Sequence, residues 1–242
     1  MPTPASRAGL LEVLVTQQRD VPGALEGGAD RLSLAVPGRD HGVSPDPAAA
    51  SAVIRASDVP VRVVLRAEAG DRADAATLAR LADLAHEYVA LGAEGVELGF
   101  LDVDLEVDVD ACLHLLEAIG DVPWTLHRAI DDTLDPLRSW GRVVDLPGLT
   151  AVRSGGSPRG LAQGYDDLLS LAGRSADVAA LLLPAGGLEA EHVWWFVRAG
   201  VRQLHLAEQV RPGATYRSYV DAGYVRSWRR LLDDAVARTE GA

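Results

Sequence analysis

Lysine is absent from this 242-residue chain, so all 23 of its basic side chains are arginines. This absence excludes a Schiff-base lysine or a lysine general base from any reaction that the protein carries out. A fixed positive charge in a site must therefore come from a guanidinium group, whose planar fork suits carboxylate or phosphate. The 35 acidic residues bring the net charge to −12, which argues against nucleic acid or an anionic membrane as a partner.

Sulfur is almost as scarce, since Cys112 is the only cysteine and Met1 the only methionine. One cysteine cannot form an internal disulfide, so the fold needs no oxidising compartment. Residues 1–9 lack the hydrophobic centre of a signal peptide, and no apolar run approaches the ~20 residues that span a bilayer. We therefore expect a cytoplasmic protein with a flexible segment over residues 1–9.

A short apolar strand, a loop and an amphipathic helix recur along the chain. The pattern predicts strands at residues 10–15, 31–35, 61–66, 95–99, 123–127, 150–154, 179–184 and 202–207. Helices that end at a glycine are predicted at 74–92, 108–120 and 189–200, and a last helix at 221–242. Eight strands alternating with helices favour one α/β domain over residues 1–242, a (β/α)₈ barrel of the TIM type. A doubly wound open sheet is the alternative.

Functional groups of such a barrel lie at the C-terminal ends of its strands. The side chains that this rule selects are Glu12, Arg66, Glu97, His127, Arg128 and His205. A carboxylate inside an apolar strand, as at Glu12 and Glu97, either enters the barrel against an arginine or forms a structural salt bridge. Asp131 follows His127 by one turn and either assists it, pairs with Arg128 or caps a helix that begins near Leu134. The remaining histidines are expected to be surface or core residues: His41, His86, His114 and His192.

Two glycine pairs directly follow predicted strands, at Ser154–Gly155–Gly156 and at Gly186–Gly187. Backbone N–H groups exposed by glycine bind anions, and barrel enzymes often hold phosphate near the seventh and eighth strands. Tight turns between strand and helix also need glycine, so either pair alone has a purely structural explanation. Two pairs on consecutive strands nevertheless predict an anion site.

These residues together predict an enzyme acting on a small anionic metabolite. Arg66 and Arg128 would clamp its carboxylate or phosphate, and His127 would be the general acid or base, with Glu12 or Asp131 orienting it. The other substrate-binding candidates are Ser154, Gly155, Gly156, Gly186, Gly187, Glu97 and His205. No metal or other cofactor is expected from these residues.

The chain also resembles the CutC family, described as copper homeostasis proteins. The similar segments, in order, are LLEVLV, GGADRLSL, GVSP, VVLR, LGAEGVELG, TLHRAID, VRSGGSP, LPAGGL and GVRQLHLA, which span residues 10–207. The resemblance implies a single (β/α)₈ barrel and a role in copper homeostasis. It also implies cysteines where this chain has Leu14 and Ala35, a glutamate where it has Ser33, and Pro-Arg where it has Ala67 and Glu68.

Copper(I) favours thiolate and thioether ligands, and the only thiol is predicted on the apolar stripe of a helix. We therefore expect a CutC-like protein that does not hold copper through thiolates. A harder ion bound by His127, His205 and Glu12 is an alternative. So is a non-catalytic barrel for binding or assembly, in which Trp194, Trp195 or Trp228 would form the interface of a homo-oligomer.

Overall fold

A computed structural model describes residues 9–38, 42–67 and 70–241 of the protein. Most of the predicted flexible segment, together with His41 and Glu68, lies outside these ranges. The described strands are β1 (Leu10–Val15), β2 (Arg31–Leu34), β3 (Val61–Val64), β4 (Gly95–Leu98), β5 (Trp124–Leu126), β6 (Leu149–Ser154), β7 (Leu182–Pro184) and β8 (Gln203–Leu206). The helices are α1 (Val21–Gly27), α2 (Pro47–Ala56), α3 (Ala75–Ala90), α4 (Val109–Ile119), α5 (Pro136–Val143), α6 (Leu161–Arg174), α7 (Ala176–Leu181), α8 (Ala190–Arg198) and α9 (Ala222–Glu240).

The strands form one parallel sheet in the order β7-β6-β5-β4-β3-β2-β1-β8, which brings the first strand between the second and the last. At the open seam, β7 lies against β8. The amide of Gln203 donates hydrogen bonds across this region, to the carbonyl oxygens of Ala180 at 2.9 Å and Thr150 at 3.1 Å. The nearly closed sheet confirms the (β/α)₈ barrel, and the doubly wound alternative is wrong.

Alternation along the strands separates an apolar layer from a polar lumen. Leu11, Val13 and Val15 of β1 are buried in the main hydrophobic core between strands and helices. Glu12, one position out of phase, is equally buried and shares no part of that core. Since successive side chains of a strand point to opposite faces, Glu12 lies in the lumen. A separate small apolar cluster contains Leu14, Ala35 and Val64.

The predicted start of the seventh strand is wrong. Residues 179–181 belong to α7, and the strand begins only at Leu182. Ser175 caps this helix by accepting a hydrogen bond from the backbone N–H of Val178. A short run of alanine and leucine has no period that separates helix from strand, and alanine is the strongest helix former.

The C-terminal helix is present as α9, which begins after its N-cap Asp221 and packs against α1 and α8. The helix expected near Leu134 begins two residues later, at Pro136. Its N-cap is Asp135, which accepts a hydrogen bond from the N–H of Arg138 at 3.1 Å, so Asp131 is not the cap. No helix in the described part of the chain is long and apolar enough to cross a membrane.

Candidate functional site

Glu12 forms the centre of a buried polar network in the lumen. Strand register places Glu12 beside Arg31 of β2 on one side and His205 of β8 on the other. Its carboxylate accepts from Arg31 Nε at 2.5 Å and from His205 Nδ1 at 2.7 Å. Burial opposes ionisation, but the charge of Arg31 and the hydrogen bond from His205 hold the pKa of Glu12 well below its usual range. An ionised Glu12 can only accept, so the proton of a neutral His205 lies on Nδ1.

A second buried pair lies beside the first. Arg153 of β6 places Nη1 2.8 Å from a carboxylate oxygen of Glu97 and 3.4 Å from the hydroxyl of Ser33. The other terminal nitrogen, Arg153 Nη2, is buried and has no hydrogen-bond partner among the residues that the structure describes. A buried guanidinium nitrogen without an acceptor is costly, and Arg31 Nη2 has the same status among the described residues, so both nitrogens are candidates for a bound acceptor.

The lumen opens into a cavity of about 360 Å³, which we call the mouth cavity. Arg128, Arg153, His205 and the backbone of Gly186 contribute polar groups to its wall, and Glu208 adds a carboxylate. The other lining residues are Leu14, Ala35, Pro37, Gly38, Gly42, Pro158, Ala185, Ala207 and Tyr216. The strand-end residues of β1, β2, β5, β6, β7 and β8 thus meet at one opening, as the barrel topology requires.

Asp131 binds the Ser154–Gly156 segment. Its carboxylate accepts from the Ser154 hydroxyl at 2.6 Å and from the N–H groups of Gly155 at 2.8 Å and Gly156 at 3.1 Å. It also pairs with Arg128 Nε at 2.6 Å. Burial raises the pKa of Asp131, and Arg128, Ser154 and Gly155 oppose that shift. The glycine N–H groups therefore do hold an anion, but it is a carboxylate of the same chain.

Arg128 connects this internal pair to the mouth cavity. Its Nη2 donates to the carbonyl oxygen of Ser157 at 2.9 Å, while its guanidinium lies against Gly186. A Cβ at Gly186 would come within 2.7 Å of Arg128 Nη1, so a side chain there would displace the arginine. Gly187 lies outside the mouth cavity and lines a neighbouring pocket next to α8.

His127 is fully buried and is not among the residues that line the mouth cavity within the described ranges. Its Nδ1 accepts a hydrogen bond from the N–H of Ala129 at 3.1 Å, which caps the 3₁₀ turn Arg128–Asp132. Arg66 lies in another depression, with Arg72 and Arg80, and pairs with Asp71 at 3.0 Å. The predicted clamp of Arg66 and Arg128 is thus divided between two pockets.

Sequence reasoning missed Arg153, Arg31, Glu208 and Tyr216. Arg153 and Arg31 carry the signal that selected Glu12, a charged side chain within an apolar strand, and the same argument applied to all strands would have found both. Glu208 and Tyr216 follow β8 in a segment without helical or strand periodicity, so no pattern indicated them.

The structure offers one group of three metal-ligating side chains among the described residues: Glu189, Glu191 and His192, whose ligand atoms lie within 4.8 Å of one another. His192 Nδ1 already accepts the N–H of Glu189 at 3.1 Å, so a neutral His192 carries its proton on Nε2. That proton leaves no ring nitrogen ready to coordinate a metal. The group forms the N-terminus of α8, outside the mouth cavity.

Comparison with known proteins gives a family and a fold. Residues 9–210 match the CutC family. A structure from Streptococcus agalactiae, provisionally named copper homeostasis protein CutC, superposes with a TM-score of 0.71 at 21% identity, covering 81% of this chain and 97% of the other. Thiamine phosphate pyrophosphorylase from Pyrococcus furiosus superposes with a TM-score of 0.58 at 14% identity, covering 95% and 98%. At these identities the two structures establish the shared barrel fold.

Proposed function

Because the chain belongs to the CutC family, we propose its function from the groups that this member gathers at the mouth of its barrel. The protein binds a small anionic metabolite between Arg128, Arg153 and His205 and acts on it by proton transfer. Copper homeostasis, the role in the name of the Streptococcus agalactiae protein, is the physiological setting that the likeness suggests.

The observation that carries the anion proposal is the buried Nη2 of Arg153, which lacks an acceptor among the described residues. A carboxylate or phosphate oxygen in the mouth cavity would supply that acceptor through a charge-assisted hydrogen bond. Arg128 and the Gly186 backbone line the same cavity and can share the charge of the ligand. Asp131 already binds the N–H groups of Gly155 and Gly156, so those groups support Arg128 rather than contact the ligand.

The geometry favours His205 over His127 as the general acid or base. His205 lines the mouth cavity and directs Nδ1 to Glu12, so Nε2 is the ring nitrogen that it offers to a ligand. Glu12 orients the ring and stabilises the imidazolium when Nε2 takes a proton from the substrate. Its lowered pKa keeps it ionised throughout. Isomerisation, elimination and hydrolysis are the reaction classes that one such group can serve.

Thiolate-bound copper does not fit the residues of this cavity. Leu14 and Ala35, the positions at which the resemblance implies cysteine, both line it with apolar side chains. Cys112 is buried in the core on α4, and burial raises the pKa of its thiol to about 12. A thiol with that pKa stays protonated at neutral pH, whereas copper(I) binds the thiolate.

Calorimetric titration with inorganic phosphate and with sulfate tests the anion proposal. We expect Arg153→Gln to weaken anion binding at least tenfold, whereas Arg138→Gln, at an exposed arginine paired with Glu106, leaves it unchanged. The double variant Arg153→Gln/Glu97→Gln removes both charges of the buried pair and serves if the single variant fails to fold. Unaltered binding in both Arg153 variants would contradict the proposal. Stoichiometric copper(I) binding that is abolished in Cys112→Ser would contradict the conclusion that this protein does not bind copper through a thiolate.

A further inference from the structure

One wall of the mouth cavity is formed by the segment that follows β8, which contributes Glu208 and Tyr216. We propose that the ligand is an anion that also carries hydroxyl or amine groups, and that Glu208 selects it by accepting hydrogen bonds from those groups. This inference rests on the anion site proposed above and specifies the rest of the molecule.

The wall is held in place by a buried ion pair. Arg211 donates to both carboxylate oxygens of Asp20, at 3.1 and 2.8 Å, and to the carbonyl oxygens of Leu14 and Ser218. The guanidinium of Arg211 also lies 5.3 Å from the centre of the Tyr216 ring. Because Asp20 and Arg211 are both buried, this arrangement ties the wall to the end of β1 and positions Tyr216 before a ligand arrives.

Tyr216 lines the mouth cavity together with Glu208. Burial raises the pKa of Tyr216, and the nearby charge of Glu208 raises it further. The phenol therefore keeps its proton at neutral pH and can act as a hydrogen-bond donor. A carboxylate offers about four acceptor sites, so one tyrosine leaves most of its capacity to the cavity.

A carboxylate in a small cavity with two arginines restricts what can bind there. A ligand with negative charge and an apolar remainder would meet the arginines correctly, but it would remove water from Glu208 without replacing the lost hydrogen bonds. Glu208 is exposed overall, so this loss is modest and sets a preference between ligands rather than an absolute exclusion. A hydroxyl or amine group on the ligand removes the penalty, because it donates to Glu208 while the anionic end remains on Arg153.

The size of the cavity limits the ligand to a small metabolite. At ~30 Å³ per molecule of liquid water, 360 Å³ corresponds to about a dozen waters. A phosphate or carboxylate on a hydroxylated or aminated chain of a few carbons is the class that fits this volume, the two arginines and Glu208 together.

The test compares two phosphate esters that differ only in hydroxyl groups, n-propyl phosphate and glycerol 1-phosphate. In the wild-type protein, calorimetry should show glycerol 1-phosphate binding about tenfold more tightly. In Glu208→Ala this preference should fall to nearly one, with binding of n-propyl phosphate retained. Glu117→Ala, at an exposed glutamate on α4, is the matched control and should keep the wild-type preference.

The outcomes separate the two proposals. If neither ester binds the wild-type protein, the anion site itself is refuted, and this inference with it. If both bind with equal affinity, the anion site is upheld and the hydroxyl selection is refuted. A full preference for glycerol 1-phosphate in folded Glu208→Ala would show that another group makes the selection.

Discussion

Replacing Asp131 by alanine should destabilise the protein more than any substitution at a neighbouring surface carboxylate. The Asp131 side chain accepts hydrogen bonds from Ser154, Gly155, Gly156 and Arg128, at distances between 2.6 and 3.1 Å. Its removal leaves the largely buried Arg128 without its carboxylate and two backbone N–H groups without that acceptor. The Gly156 N–H retains the Ser154 hydroxyl at 3.0 Å, so the loss is concentrated on Gly155 and Arg128.

The magnitude follows from these contacts. Removing one partner of a buried, hydrogen-bonded ion pair typically lowers the free energy of unfolding by about 3–5 kcal/mol. For a domain of this size each 1 kcal/mol shifts the melting temperature by roughly 2–4 °C, so a decrease on the order of 10 °C is expected. Urea unfolding followed by circular dichroism measures the free energy, and calorimetry the melting temperature.

Asp132→Ala is the control, since Asp132 is partly exposed and its side chain makes no hydrogen bond or ion pair with other residues in the described ranges. Its effect should stay within ~0.5 kcal/mol. Because alanine at 131 empties a carboxylate-sized space, millimolar formate should raise the melting temperature of Asp131→Ala and leave that of Asp132→Ala unchanged. A loss below about 1 kcal/mol in Asp131→Ala, no larger than in the control, would refute the role of this carboxylate as the internal anion.

Two further predictions concern the lumen and the mouth cavity. Glu12→Gln should be less stable than the wild type at pH 7, by ~3–5 kcal/mol for a buried pair that loses one charge. Because the folded-state pKa of Glu12 is lowered, its contribution is complete above the unfolded value of 4.5 and is lost as the pH falls towards the folded value. The difference in unfolding free energy should therefore narrow below pH 4.5, and a constant difference would contradict the assigned shift. Gly186→Ala and Gly187→Ala both place alanine at positive φ, +78° and +89°, but only the first crowds Arg128. Phosphate binding should weaken in Gly186→Ala alone, and equal weakening in both would assign the effect to backbone strain.

Strand positions were largely readable from the chain because apolar runs bounded by glycine, proline or aspartate repeat eight times. The prediction at residues 10–15 matches β1 completely, whereas only residues 182–184 of the strand predicted at 179–184 are strand. Such an apolar run can form either helix or strand. The N-cap Ser175 favours the helix, which therefore includes residues 179–181. Ser175 is visible in the sequence, but a serine alone does not show that a helix begins after it.

The candidate site was predicted in its residue types and only partly in its geometry. His127 and Arg128 are neighbours in the chain, yet Arg128 lines the mouth cavity and His127 does not. His205 was predicted only as a substrate-binding residue, and the pairing of Glu12 with β8 brings it beside Glu12 in the lumen. Arg153 carries the same strand signal as Glu12, but its pairing with Glu97 of β4 and Ser33 of β2 depends on the closed sheet.

Composition and periodicity were sufficient for the barrel, for arginine as the source of fixed positive charge and for the exclusion of lysine chemistry, because these depend on residue type and local order. The position and partner of each charged side chain depend on the closed sheet. Strand phase and register decide which side chains share the lumen, and contacts between segments far apart in the chain decide whether a donor meets a ligand or a carboxylate of the protein. Asp131 shows the difference. Its distance along the chain from Gly155 and Gly156 gives no sign of contact, but the fold brings its carboxylate to their N–H groups and makes it the anion that they bind.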